Sequence, residues 1–122
     1  MDKKILTLLL GAATASTVTM AQTPAFPGAE GHGRYVTGGR GGEIRHVTNL
    51  NDKGTGSLRE AVKGNTKKIV VFDVGGVVAL ASNLTIGDNT TILGQTAPGN
   101  GITVRYYTVN PGSNHIIRFL RI

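Results

Sequence analysis

The chain is expected to fold as an all-β protein: a parallel β-helix, a solenoid of about 24 residues per coil, with a short N-terminal capping helix. Three observations lead there. Apolar runs centred on Ile44, Ile69, Ile92 and Ile116 recur at steps of 25, 23 and 24 residues. A second track repeats the step, from Val78 to Ile102, 24 residues on. Asparagine stands just ahead of the later strands, as Asn65, Asn89 and Asn114. A fixed period in the twenties marks a solenoid, in which no coil can bury its apolar face alone. The Leu-x-x-Leu-x-Leu frame of leucine-rich repeats is missing, and runs rich in Val and Ile favour strands. Asparagine suits the bends because it tolerates the left-handed conformation. An antiparallel sandwich with coincidental spacing is the competing architecture.

Composition bounds the rest. The chain has 122 residues with 18 Gly and no Cys, and its hydrophobic fraction of 39% suffices for one modest core, hence a single domain. No apolar run is long enough for a mature transmembrane helix. The net charge of +6, from 13 Lys and Arg against 7 Asp and Glu, favours an anionic partner: nucleic acid, anionic lipid or acidic polysaccharide. Apart from Lys67-Lys68 and the pair Arg118 and Arg121, the cations are scattered, and most are expected to be solvated surface charge.

In chain order, residues 1–21 have the pattern of a secretory signal peptide. Lys3-Lys4 begin it, Ile5 to Ala15 form its apolar stretch, and Thr19-Met20-Ala21 offers small residues for cleavage. Its removal takes Asp2, Lys3 and Lys4, so the net charge falls from +6 to +5. The mature protein, residues 22–122, is therefore expected to be secreted, extracellular or periplasmic, with no membrane partner. A Gly-rich lead-in runs from Pro24 to Gly42. Nothing before it forms a strand and nothing after it a helix, which excludes a nucleotide-binding loop; its glycines allow tight backbone turns. Glu43 to Thr48 is the first strand.

Ser57-Leu58-Arg59-Glu60-Ala61-Val62 carries a capping box. Ser57 accepts a backbone amide, Glu60 reaches back to the Ser57 amide, and Leu58, Ala61 and Val62 share one face. A short amphipathic helix here covers the open apolar end of the solenoid. From Lys67 strand and turn alternate: a bend at Val74-Gly75-Gly76, a strand over Asn83 to Ile86, and turns at Asn100-Gly101 and Asn110-Pro111-Gly112-Ser113. The sequence stops at Ile122 within an apolar strand, as expected of a fragment of a longer solenoid truncated at its C-terminus.

Chemistry is sparse. His32, His46 and His115 have no metal-ligand spacing, and Glu30, Glu43, Asp52, Glu60, Asp73 and Asp88 are isolated. The sequons at Asn83 and Asn89 fit strand-entry turns better than glycosylation. Arg118 and Arg121, three apart on one strand, should face opposite ways, one of them toward a groove if either is functional. No catalytic residue and no metal ligand is visible, and the substrate-binding residues are unknown.

Taken together, Ala25-Phe26-Pro27-Gly28-Ala29-Glu30-Gly31, Arg34 to Gly42, Val47 to Asp52, Gly54 to Val62, Ile69 to Gly76, Gly94-Gln95-Thr96-Ala97-Pro98-Gly99 and Ile117-Arg118-Phe119-Leu120-Arg121 resemble the N-terminal part of the pectate lyases of polysaccharide lyase family 1, of the bacterial secreted type. His32 stands where that pattern has an aromatic residue. The resemblance implies a right-handed parallel β-helix enzyme of pectin degradation that cleaves polygalacturonate by β-elimination, monomeric at full length. It implies Ca²⁺, held by carboxylates, as cofactor and an arginine as base, all in later coils beyond Ile122. This segment alone is then expected to be inactive. A non-catalytic β-solenoid, an adhesin or carbohydrate-binding surface protein, is the alternative, and export argues against a nucleic-acid partner.

Overall fold

A computed structural model describes residues 22–122. The expected signal peptide lies outside the described residues. The described residues fall into two compact units, divided between Tyr35 and Val36. In the first, residues 22–35 form a loop closed by an Ala25 N–H donated to the Arg34 carbonyl at 2.7 Å. The second, Val36–Ile122, holds every regular element among the described residues.

Its elements are β1 (Glu43–Val47), α1 (Leu58–Ala61), β2 (Lys68–Phe72), β3 (Gly76–Ala79), β4 (Leu84–Ile86), β5 (Thr90–Leu93), β6 (Ile102–Arg105), β7 (Val109–Pro111), β8 (His115–Arg118) and β9 (Leu120–Arg121), with a 3₁₀ turn at Gly94–Thr96. All strand pairs are parallel. Sheet A runs β1-β2-β5-β8, sheet B β3-β6-β9 and sheet C β4-β7. Each strand thus pairs with its counterpart one coil away, and the molecule is a parallel β-helix.

The register differs from the sequence alignment at one strand. Ile44, Ile69 and Ile116 do share a row, but its member in β5 is Thr91, and Ile92 aligns with Val70 and Ile117. The steps along sheet A are 25 (43 to 68), 22 (68 to 90) and 25 (90 to 115). In sheet B, Val78 pairs with Val104 rather than Ile102, a step of 26. Corners of unequal length absorb these differences, so a constant period locates the coils but not the residue that faces inward.

Side chains alternate across each strand. Val47 and Phe72 form one inward row of sheet A, and Val70 and Ile92 another. Val78, Leu84, Ile86, Ile102 and Val104 complete the core from the other two sheets. Arg45 belongs to the inward row of Val70 but lies in the first coil, where nothing stacks beyond it but α1. Its guanidinium donates to the carbonyls of Ala61 (3.1 Å) and Lys63 (2.8 Å) at the helix end, where cations are favoured. Leu58, Ala61 and Val62 are buried, so α1 covers the apolar end as expected. Half of the capping box forms. Ser57 Oγ accepts the Glu60 N–H at 3.2 Å, but the Ser57 N–H goes to the Gly54 carbonyl (3.1 Å), and Glu60 turns outward to Lys63.

Asparagine builds the corner before sheet A. Asn89 and Asn114 take left-handed φ values of 58° and 62°. Their amides form a ladder along the helix axis: Asn114 Nδ2 donates to Asn89 Oδ1 (2.8 Å), and Asn89 Nδ2 to the Asn65 carbonyl (2.9 Å). At the far end Asn114 Oδ1 accepts the backbone amides of Thr37 and Gly38. The segment over residues 37–39 is thereby strapped across the outer face of sheet A, which is why outward-facing Thr91 and Ile116 are buried. Such ladders satisfy polar groups at a corner where the sheet bonds stop.

Two charges are bound more tightly than their sequence context suggests. Lys68 is fully buried, not solvated; its three ammonium protons meet the carbonyls of Gly64, Thr66 and Asp88 at 2.5, 3.1 and 3.3 Å. Burial, with nearby Arg45, holds its pKa below the ordinary lysine value. Asp52 accepts the Ala81 N–H and the Arg59 guanidinium, both at 3.0 Å, while Arg59 also reaches the carbonyls of Ser82 and Asn83. The Ala81 amide first, and Arg59 next, hold the Asp52 carboxyl below its usual 3.8. A lowered carboxylate pKa stabilises the fold above that ordinary value and ceases to do so as pH falls through the lowered one. Asp52→Asn should therefore cost on the order of 1 kcal/mol at neutral pH, and the difference from wild type should shrink below pH 3.8 in urea melts. A difference that does not fall as the pH is lowered below 3.8 would assign the effect to packing instead.

Candidate polyanion-binding face

Sheet B positions the candidate site. Its inward residues Val78, Ile102 and Val104 anchor the strands in the core. The register then places Val77, Thr103 and Arg121 in one outward row, and Ala79 and Arg105 in the next. Arg121 lies along this face. Its Nε donates to Thr103 Oγ1 at 3.0 Å and its Nη2 to the Asn100 carbonyl at 2.5 Å. The turn over residues 97–101 borders a shallow depression of about 530 Å³ lined by Gly75, Val77, Pro98, Asn100, Thr103 and Arg121.

Arg118 and Arg121 do not share a strand. Phe119, at φ 57°, turns the chain between β8 and β9, so Arg118 ends sheet A and Arg121 stands on sheet B. The corner is tight: a Cβ on Gly94 would collide with the Phe119 carbonyl, so glycine is needed where these coils stack. Of the two arginines, Arg121 is the one that lines the depression.

Charge sets this face apart. The ion pairs Arg45–Glu43, Arg59–Asp52 and Lys63–Glu60, and the His46–Asp73 hydrogen bond, use carboxylates that all precede Asp88 in the sequence. From Asn89 to Ile122 there is no Asp or Glu, whereas Arg105, Arg118 and Arg121 fall there. No carboxylate pairs with Arg105 or Arg121 among the described residues, and the outer face of sheet B is therefore cationic. Arg105 was not singled out by motif or by clustering. The acid-free final third of the chain is the sequence signal that points to it.

The histidines stay apart. His46 Nδ1 meets Asp73 Oδ1 at 2.9 Å, His115 Nε2 meets the Gly87 carbonyl at 2.7 Å, and His32 belongs to the other unit. Asp52 and Asp88 are occupied by backbone amides, of Ala81 and Ser113 respectively. Among the described residues no three His, Asp or Glu side chains converge on a point that could hold a metal ion. The Asn89 amide is committed to the ladder, in keeping with its reading as a structural corner rather than a glycan acceptor.

A solenoid of parallel coils, capped at one end and cationic along one sheet, is the class of protein defined by this geometry. Its relatives make the class specific. The chain is 47% identical over 116 residues to a protein of Aspergillus fumigatus named probable pectate lyase C, covering 93% of this chain and 27% of the fungal protein. A protein of the same name from Aspergillus terreus is 53% identical over 100 residues, covering 80% and 24%. The crystal structure of Jun a 1, the major allergen from cedar pollen, superposes with a TM-score of 0.57 at 26% identity, covering 72% of this chain and 27% of that one. No protein-family model matches. With about half of the aligned residues shared, the chain resembles these proteins named probable pectate lyase C. It spans about a quarter of the length of the curated relatives it matches.

Proposed function

We propose that this chain is the N-terminal part of a secreted, Ca²⁺-dependent pectate lyase that cleaves de-esterified polygalacturonate by β-elimination. Identity of 47–53% to proteins named pectate lyase carries this reading. The cationic face of sheet B supports it, because a polyuronate presents one carboxylate per sugar and Arg is the residue best suited to bind carboxylates. In this reading the segment supplies scaffold and part of the polymer-binding surface. In this reading the calcium ligands and the base belong to residues outside those described, because no three His, Asp or Glu side chains converge among the described residues.

The test is direct. The chain, mixed with polygalacturonate and Ca²⁺, should be retarded in an affinity gel containing the polymer yet produce no ultraviolet-absorbing unsaturated uronide. An EDTA-sensitive rise in that absorbance would show that the catalytic groups lie within this chain. Absence of retardation would remove the polysaccharide from the reading. Retardation by neutral glucans equal to that by polygalacturonate would favour a non-catalytic carbohydrate-binding solenoid.

A further inference from the structure

Tyr106 adopts φ 90°, in the left-handed region that an aromatic residue rarely occupies, and its side chain is 69% exposed. Burial therefore does not explain the conformation, and strain of this kind gathers at functional positions. Its neighbour Arg105 ends β6 on the outward side of sheet B, and the guanidinium carbon sits 4.4 Å above the Tyr106 ring centroid. One ring face thus carries a cation. The arrangement repeats in the next coil, where Arg118 ends β8 and lies 5.1 Å over Phe119, itself left-handed at φ 57° and 65% exposed. Twice, then, an arginine at a strand end is followed by an exposed aromatic turned back onto it, in the part of the chain without acids.

We propose that Arg105 and Tyr106 form a uronosyl-binding element. The sugar ring packs on the exposed surface of Tyr106, and its carboxylate pairs with the Arg105 guanidinium. A pyranose needs a flat apolar platform and a uronate needs a cation beside it, and this pair presents the two together. The ligand class is a polymer of uronic acid with free carboxylates. The proposal rests on the polysaccharide reading above and assigns residues to it.

Tyr106→Gly separates binding from structure, because glycine adopts φ 90° without strain. This variant should unfold at the same or a higher urea midpoint, yet bind polygalacturonate about ten-fold more weakly in isothermal titration of the full chain. Arg105→Gln should weaken binding to a similar extent, and its loss should vanish when the polymer is fully methyl-esterified. If wild type fails to bind polygalacturonate, the polysaccharide reading itself is lost. If wild type binds and both variants match it, that reading stands and the assignment of Arg105 and Tyr106 is overturned. Equal competition by single-stranded DNA would also overturn it, by showing a general polyanion surface.

Discussion

Replacing Ile92 with alanine should lower stability by about 2–5 kcal/mol, the range for deleting a large aliphatic side chain from a packed core. Ile92 is fully buried, in the inward row between Val70 and Ile117, so the vacated volume would lie in the middle coil with a coil on either side. The same change at Ile44 should cost well under 1 kcal/mol, because Ile44 is 61% exposed on the outer face of the first strand. The pair is informative because simple periodicity makes the two isoleucines equivalent. Urea denaturation followed by circular dichroism would measure both; equal losses would mean that the register of β5 is the one suggested by spacing alone.

Gly39→Ala should be nearly as damaging, at about 3 kcal/mol. A Cβ at this position would fall inside the carbonyl of Lys68, and backbone on both sides leaves no flexible group to yield. Gly39 also donates its N–H to Thr91 Oγ1 at 2.8 Å, so displacing it loosens the strap that covers sheet A. The neighbouring Gly41, at φ 83° with open space around its Cβ position, should lose only about 1 kcal/mol on the same change, the cost of backbone strain. Hydrogen exchange at Thr91 and Ile116 would separate the cases: Gly39→Ala should speed it and Gly41→Ala should not. Similar exchange in both variants would mean that the lead-in is not held by close approach.

The glycines illustrate how much was legible beforehand. A Gly-rich lead-in is plain from composition and suggests tight turning. Left-handed φ at Gly38 and Gly41 agrees with that, but Gly39 is required for a different reason, the contact of its backbone with Lys68 some thirty residues away. Lys68 follows the same logic. Beside Lys67 it looks like surface charge, and three carbonyls from two successive corners turn it into a buried one. The capping helix was legible because Ser57 and the Leu58/Ala61/Val62 face are local features. Glu60 missed its expected partner because the Gly54 carbonyl had already taken the Ser57 amide.

The candidate site was harder to see. Arg121 and Arg118 were noticed as a pair, yet their directions depend on the left-handed turn at Phe119, for which the sequence has no glycine or asparagine to give notice. Arg105 and Tyr106 are unremarkable as a dipeptide and gain meaning from the outward row of sheet B and from the missing acids around it.

The sequence by itself determined the solenoid: recurrent Val and Ile runs, asparagine corners and a helix to close one end are all encoded within single coils. Tertiary structure decided which member of each run faces inward, where residues 37–39 lie, and which arginines share a sheet. The reason is physical. Period and propensity act along the chain, whereas inward and outward faces are set by strand pairing between coils, and corners of unequal length let that pairing depart from a constant step by one residue, enough to reverse every side chain.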